Sequence, residues 1–109
     1  MGTKQAYLTF NRLAAANLLR CEEVFRPIDT WSESEWMVAI AGEVGEAANL
    51  IKKRNRPELI DVDEVVDELA DAVIYIDLLC TRMGRSLEDG IRRKFEAVSV
   101  KRHSTVHLD

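Results

Sequence analysis

A chain of 109 residues with 47% hydrophobic and 31% charged residues, five Gly and two Pro reads as one helix-rich domain over residues 1–109, not as a disordered segment. A net charge of −4 argues against a broad nucleic-acid surface, and no apolar run approaches the roughly 20 residues that span a bilayer. Met1 to Lys4 are short and polar with no apolar region behind them, and Cys21 and Cys80 show neither CxxC nor Cys/His zinc spacing. The expectation is a cytoplasmic protein with two free thiols and no membrane or stable nucleic-acid partner.

In chain order, Tyr7, Phe10, Ala14, Leu18, Cys21 and Phe25 recur at three and four residues and predict a first amphipathic helix, which Pro27 interrupts. Ser32 with Glu35 forms a capping-box pattern ahead of an apolar run from Trp36, predicting a second helix to about Arg54, stopped by Pro57. Asp61 with Glu64 opens a third helix that runs to about Met83, where Gly84 suits the left-handed C-terminal position. Ser86 with Asp89 opens a shorter fourth helix through Ile91, Phe95 and Val98, and from about Ser99 a basic, weakly patterned tail follows. The second and third helices are apolar around most of their circumference, more than two outer helices can cover. The fold expected is all-α, a four-helix bundle that oligomerises as a dimer or tetramer.

Four acids interrupt those apolar stretches: Glu43 and Glu46 on the second helix, Glu68 and Asp71 on the third. Each pair is spaced i, i+3 and so shares a helix face, with Glu64 and Asp67 crowding the flank of the third helix. Ionised carboxylates among Val, Ala, Ile and Leu are costly without a compensating cation, and like charges so close repel. Solvated surface acids are the plain alternative. An all-oxygen set facing across two helices suits Mg²⁺ or Mn²⁺ with phosphate oxygens completing the shell. Di-iron bundles normally add a Glu-x-x-His on two helices, which this chain lacks; His103 and His107 lie in the tail and are not expected as ligands.

Lys53 follows Glu43, Glu46 and Leu50 along one helical face and can look toward whatever the metal holds, with Lys52, Arg54 and Arg56 extending the cluster. Decoration of a helix C-terminus explains Lys52 and Arg54 equally well. Arg92, Arg93, Lys94, Lys101 and Arg102 form a second basic group. Tyr75, one turn past Asp71, and Trp31, ahead of the second helix, suit either stacking on a base or a place in the core. Gly42 and Gly45 each cost about 1 kcal/mol of helix propensity relative to Ala, which makes sense where another helix or a ligand approaches their backbone. No GxxxxGK[ST] or GxGxxG phosphate loop is present.

Glu43-x-x-Glu46 followed by Glu68-x-x-Asp71 resembles the signature of the all-α nucleoside triphosphate pyrophosphohydrolases, the MazG-like and dimeric dUTPase-like superfamily. The stretches AIAGEVGEAANLIKK and DELADAVIYIDLL look like that family's two metal-bearing helices, and GIRRKFEAVSVKRHS like its fourth helix and basic exit, over roughly residues 30–104. The resemblance implies an oligomeric bundle with its active site between the second and third helices, cleaving the α–β phosphoanhydride of a (d)NTP to NMP and pyrophosphate. It implies Glu43, Glu46, Glu68 and Asp71 as Mg²⁺ ligands and Lys53 as a catalytic cation on the phosphates. Tyr75 then falls where several members place an aromatic near the base, with Lys94 and Arg102 as further phosphate-side cations. Where family members of this size often read Lys-Phe-Asn, this chain has Lys94-Phe95-Glu96. A non-catalytic oligomerisation or regulatory module of the same fold is the competing expectation.

Overall fold

A computed structural model describes residues 7–55 and 60–108; the expected helix stop at Pro57, the cation Arg56 and the polar start at Met1 to Lys4 lie outside them. The described residues hold four α-helices and no strand: α1 (Phe10–Arg20), α2 (Glu33–Arg54), α3 (Val62–Arg82) and α4 (Leu87–Lys101). No helix among them is long and apolar enough to cross a membrane.

Each helix begins on the side chain that the sequence offers for it. Thr9 Oγ1 accepts the Arg12 amide at 3.0 Å. Ser32 and Glu35 form a complete capping box, Ser32 Oγ accepting Glu35 N at 3.1 Å and Glu35 Oε1 accepting Ser32 N at 3.2 Å. Asp61 caps α3, but as an Asx turn onto the Asp63 amide at 3.0 Å, so Glu64 is left out of the box that its spacing suggested. Ser86 Oγ accepts Asp89 N at 3.2 Å.

After Arg20 the first helix widens into a π-turn over Cys21–Phe25. The carbonyl of Cys21 accepts the Arg26 amide at 2.8 Å, while its thiol donates to the Arg26 carbonyl at 3.1 Å. Burial pushes the Cys21 thiol up from its usual range, which keeps the proton that this bond needs. Arg26 is extended, as a residue before proline prefers, and the chain turns through a 3₁₀ segment, Ile28–Thr30, into α2.

Around this turn sits the core: Cys21, Trp36 and Leu78, with Ile28, Trp31, Tyr75 and Leu79 packed against them. Trp36 has no exposed surface and donates its indole N–H to the Ile28 carbonyl at 3.2 Å. Trp31 meets Trp36 edge-on at 4.7 Å, and the Arg26 guanidinium lies 4.0 Å over the Trp31 ring. Arg82 donates to the Trp31 carbonyl at 3.2 Å and so ties the end of α3 to the same turn.

Helix α3 is the hub. α2 packs along it, and α1 and α4 cover other parts of it. Met37, Val38, Val44 and Ile51 on α2, and Val62, Val66, Leu69 and Val73 on α3, stay exposed. The radius of gyration is 16.8 Å, against about 13 Å for a compact chain of this length. The accessible surface is 8524 Å², against about 6,100 Å² for a folded monomer of this mass. Gly42 and Gly45 were expected to admit a close neighbour, yet a Cβ on either would meet nothing within 4 Å among the described residues.

The C-terminal ends of α3 and α4 close by Schellman motifs. Gly84, at φ 72°, donates to Thr81 O at 2.9 Å and Arg85 N to Cys80 O at 2.9 Å, as Gly84 suggested. The second was not foreseen. His103 takes φ 56° without being glycine, and Ser104 N reaches Ser99 O at 2.8 Å. The tail expected from about Ser99 is therefore helical to Lys101 and then folds back, the buried Ser99 hydroxyl donating to the Val106 carbonyl at 2.7 Å and His107 Nδ1 pairing with Glu96 at 2.7 Å. Replacing Gly84 by Ala should lower unfolding free energy by about 1 kcal/mol, whereas Gly90→Ala, inside α4 where a Cβ meets only the tip of Arg93 at 3.9 Å, should raise it by about 0.5–1 kcal/mol. Urea denaturation of the two variants checks the contrast; equal effects would remove Gly84 from the cap.

Candidate metal centre

The seam of α2 against α3 is built from Trp36, Ile40 and Ala47 on one helix and Val65, Ala72 and Leu78 on the other, all buried. Glu43 falls between Ile40 and Ala47 in that stripe, and Glu68 between Val65 and Ala72. Helical periodicity therefore sets two carboxylates within the packing seam, half-buried, rather than on an outer face. Asp71, one turn past Glu68, is exposed at the edge. Each of the three offers one oxygen, and these oxygens all lie within 4.8 Å of one another.

Such a donor set fits a small hard cation. Opposite oxygens around Mg²⁺ are separated by about 4.2 Å, so modest side-chain rotation brings three oxygens at this spacing onto one ion. The fourth expected ligand stands differently. Glu46 is exposed and lies outside the triad; it shares a hydrogen bond with Glu68 instead. That bond, then the charge of Glu68, burial and the charge of Asp71, raise the Glu46 carboxyl above its ordinary range. The shift reports the mutual repulsion of the acids on the two helices.

Tyr75 adjoins the acids. It is half-buried, its ring centroid 6.0 Å from Trp36 and 6.4 Å from Phe25, and burial with the charges of Glu43 and Asp71 pushes its phenol up, so it keeps its proton. Asp71 and Tyr75 together line a cavity of about 260 Å³ between α1 and α3, with Phe25, Asn17 and Arg20 across from them. The carboxylate cluster and this cavity share Asp71 as a common wall.

The other expected site residues lie farther off. Lys53 is exposed, seven residues past Glu46 and so roughly 10 Å along the axis of α2 on the same face. Lys52 and Arg54 close the same helix. Trp31 belongs to the aromatic clasp and borders a shallow hollow with Ser34, Glu35, Val38 and Ala39. Lys94 is on α4 and Arg102 at its C-cap, on a helix that packs against α1 and α3. Glu64 and Asp67 are exposed on α3.

Three residues beside the site escaped sequence reasoning: Asn17, Phe25 as a cavity wall, and Arg26. Asn17 is 3% exposed and Asp77 1% exposed, and Asn17 Nδ2 donates to Asp77 Oδ2 at 2.9 Å. The signal available was a polar residue inside an apolar helical stripe on each of two helices. No family model, curated protein or solved structure matches the chain. What the centre can do therefore rests on its own chemistry.

The raised Glu46 carboxyl has a sign. The folded state favours its protonated form, so through the window above the ordinary glutamate range the native protein holds more protons than the unfolded chain. Its contribution is present at low pH and is lost as pH climbs through that window. Buried Asp77, also pushed up by burial, acts in the same direction. In EDTA, wild type should lose stability from mildly acidic toward neutral pH more steeply than Glu46→Gln does, the difference isolating Glu46. Parallel pH curves from urea denaturation would remove Glu46 from the cluster.

Proposed function

We propose that this protein is a Mg²⁺-dependent nucleoside triphosphate pyrophosphohydrolase of the MazG-like kind, cleaving the α–β phosphoanhydride of a (d)NTP to NMP and pyrophosphate. The observation that carries the reading is the convergence of Glu43, Glu68 and Asp71 to within 4.8 Å in a helix seam that opens onto an aromatic-walled cavity. Hard oxygen donors beside a stacking surface suit a nucleotide whose phosphates meet a divalent cation.

In this reading Glu43, Glu68 and Asp71 hold the ion, and Glu46 joins them or orients water. Bound Mg²⁺ supplies Lewis-acid polarisation of phosphoryl oxygens and acidifies coordinated water; Mn²⁺ serves as substitute. Tyr75 keeps its phenolic proton as a donor beside the acids and offers its ring to the base. Lys53 extends toward the phosphates from the end of α2, and Lys94, Arg102 and Trp31 complete the substrate contacts where a second chain brings them near.

That second chain is part of the proposal. The accessible surface exceeds that of a compact monomer by about 2,400 Å², the scale of an obligate interface. The uncovered flanks of α2, with Gly42 and Gly45 open to close approach, supply the surface, and the four-helix bundle is then completed between copies. The same exposed faces favour a second reading, a non-catalytic oligomerisation module. We place it in the cytoplasm, in keeping with the lack of a membrane-spanning helix among the described residues.

With Mg²⁺, at least one (d)NTP should yield NMP and pyrophosphate, and Lys53→Ala should lower kcat/KM by at least about tenfold. NDP and orthophosphate as products, or full activity in EDTA, would overturn the hydrolase reading. Light scattering of the same sample should give a multiple of 12.4 kDa, and a purely monomeric species would contradict the assembly.

A further inference from the structure

Asn17 is a polar side chain buried within an apolar helix face, and its amide is oriented by its neighbours. Nδ2 donates one hydrogen to the Ile74 carbonyl at 2.9 Å and the other to Asp77 Oδ2 at 2.9 Å. A backbone carbonyl only accepts, so the amide cannot flip, whatever the protonation of Asp77. Both hydrogens are spent. The remaining polar atom, Oδ1, is an acceptor with no partner among the described residues, on a residue 3% exposed that lines the cavity with Asp71.

Asp71 joins the cavity to the acids; Phe25 and Tyr75 give it aromatic walls, and Asn17 and Arg20 line it from α1. At about 260 Å³ it lies below the size of a site that encloses a drug-sized ligand whole, and suits a base with its phosphates left outside on the acids. A base entering with its sugar toward Asp71 presents the ring edge opposite the glycosidic bond to Asn17. That edge carries an amine in cytosine and adenine and a carbonyl in uracil, thymine and hypoxanthine. Facing Oδ1, the amine completes a hydrogen bond, whereas the carbonyl sets two acceptors together in a desolvated place.

We propose that Asn17 selects nucleotides whose base bears an exocyclic amine opposite the glycosidic bond, with Asp77 and the Ile74 carbonyl acting as positioning groups that hold Oδ1 toward the cavity. This rests on the hydrolase reading for the placement of the phosphates, and on the cavity itself for the selection.

The test uses isosteric pairs. With Mg²⁺ and the full chain, kcat/KM for dCTP over dUTP, and for dATP over dITP, should be at least about tenfold. Asn17→Leu alone strands the Asp77 carboxylate, so the informative variant is Asn17→Leu with Asp77→Leu, which replaces both partners by apolar groups. Circular dichroism monitors its helicity. A folding defect lowers both rates together, whereas loss of the acceptor brings the ratios to near one. Asp77→Asn, whose carbonyl can still accept from Asn17, should keep the preference. Calorimetry with dCMP and dUMP reads the same preference without hydrolysis. Equal rates and affinities within each wild-type pair, or an unchanged ratio in the double variant, overturn the role of Asn17 while leaving the hydrolase intact. Selective dCMP binding with no hydrolysis of any triphosphate keeps Asn17 and overturns the hydrolase. Neither hydrolysis nor binding overturns both.

Discussion

The burial of Trp36 against α3 and the turn after α1 fixes how α2 lies on its neighbour, and the candidate centre follows from that contact. Glu43 is two turns beyond Trp36 on the same stripe, so whatever sets the indole sets the carboxylate. The indole is held by its bond to Ile28 and by the edge-on ring of Trp31, and Trp31 is held by Arg26 and Arg82. The Cys21–Arg26 double contact shapes the turn that carries these groups. A large-to-small change at Trp36, which typically costs about 3–5 kcal/mol, would act on the acids as much as on the core.

The same seam carries a conflict. Ile40, Ala47, Val65 and Ala72 bury apolar surface, while Glu43 and Glu68 between them bring charge into the contact and Asp71 adds a third charge at its edge. The raised Glu46 carboxyl reports that repulsion; a divalent cation would relieve it by neutralising the triad. The exposed apolar flanks are a second unmet demand, which fits a fold completed by something outside the single chain.

Much of this is legible in the sequence because it is local. Three of the four helix starts follow from a side chain and an amide two or three residues on, at Ser32, Asp61 and Ser86, and Gly84 marks its cap by being the residue that tolerates φ 72°. The i, i+3 spacing of the acids places each pair on one face. What spacing does not carry is rotamer and neighbour: it gives Glu46 the same standing as Glu43, although Glu46 turns to Glu68 outside the triad. It also cannot bring Asn17 to Asp77, sixty residues apart, since that pairing exists only where α1 crosses α3. The left-handed His103 and the returning chain after it are set by Ser99 and Glu96 contacts with no motif of their own.

If Glu43, Glu68 and Asp71 form one cation site, a bound ion relieves their mutual repulsion. Thermal unfolding of wild type and Glu68→Gln, each in EDTA and in millimolar Mg²⁺, tests it most directly. A ligand that binds only the folded state adds RT ln(1 + [L]/Kd) of stability. Glu68→Gln should melt higher than wild type without metal and gain less from Mg²⁺. If the variant melts lower in EDTA and keeps the full Mg²⁺ response, Glu68 belongs to a structural contact and the metal centre is contradicted.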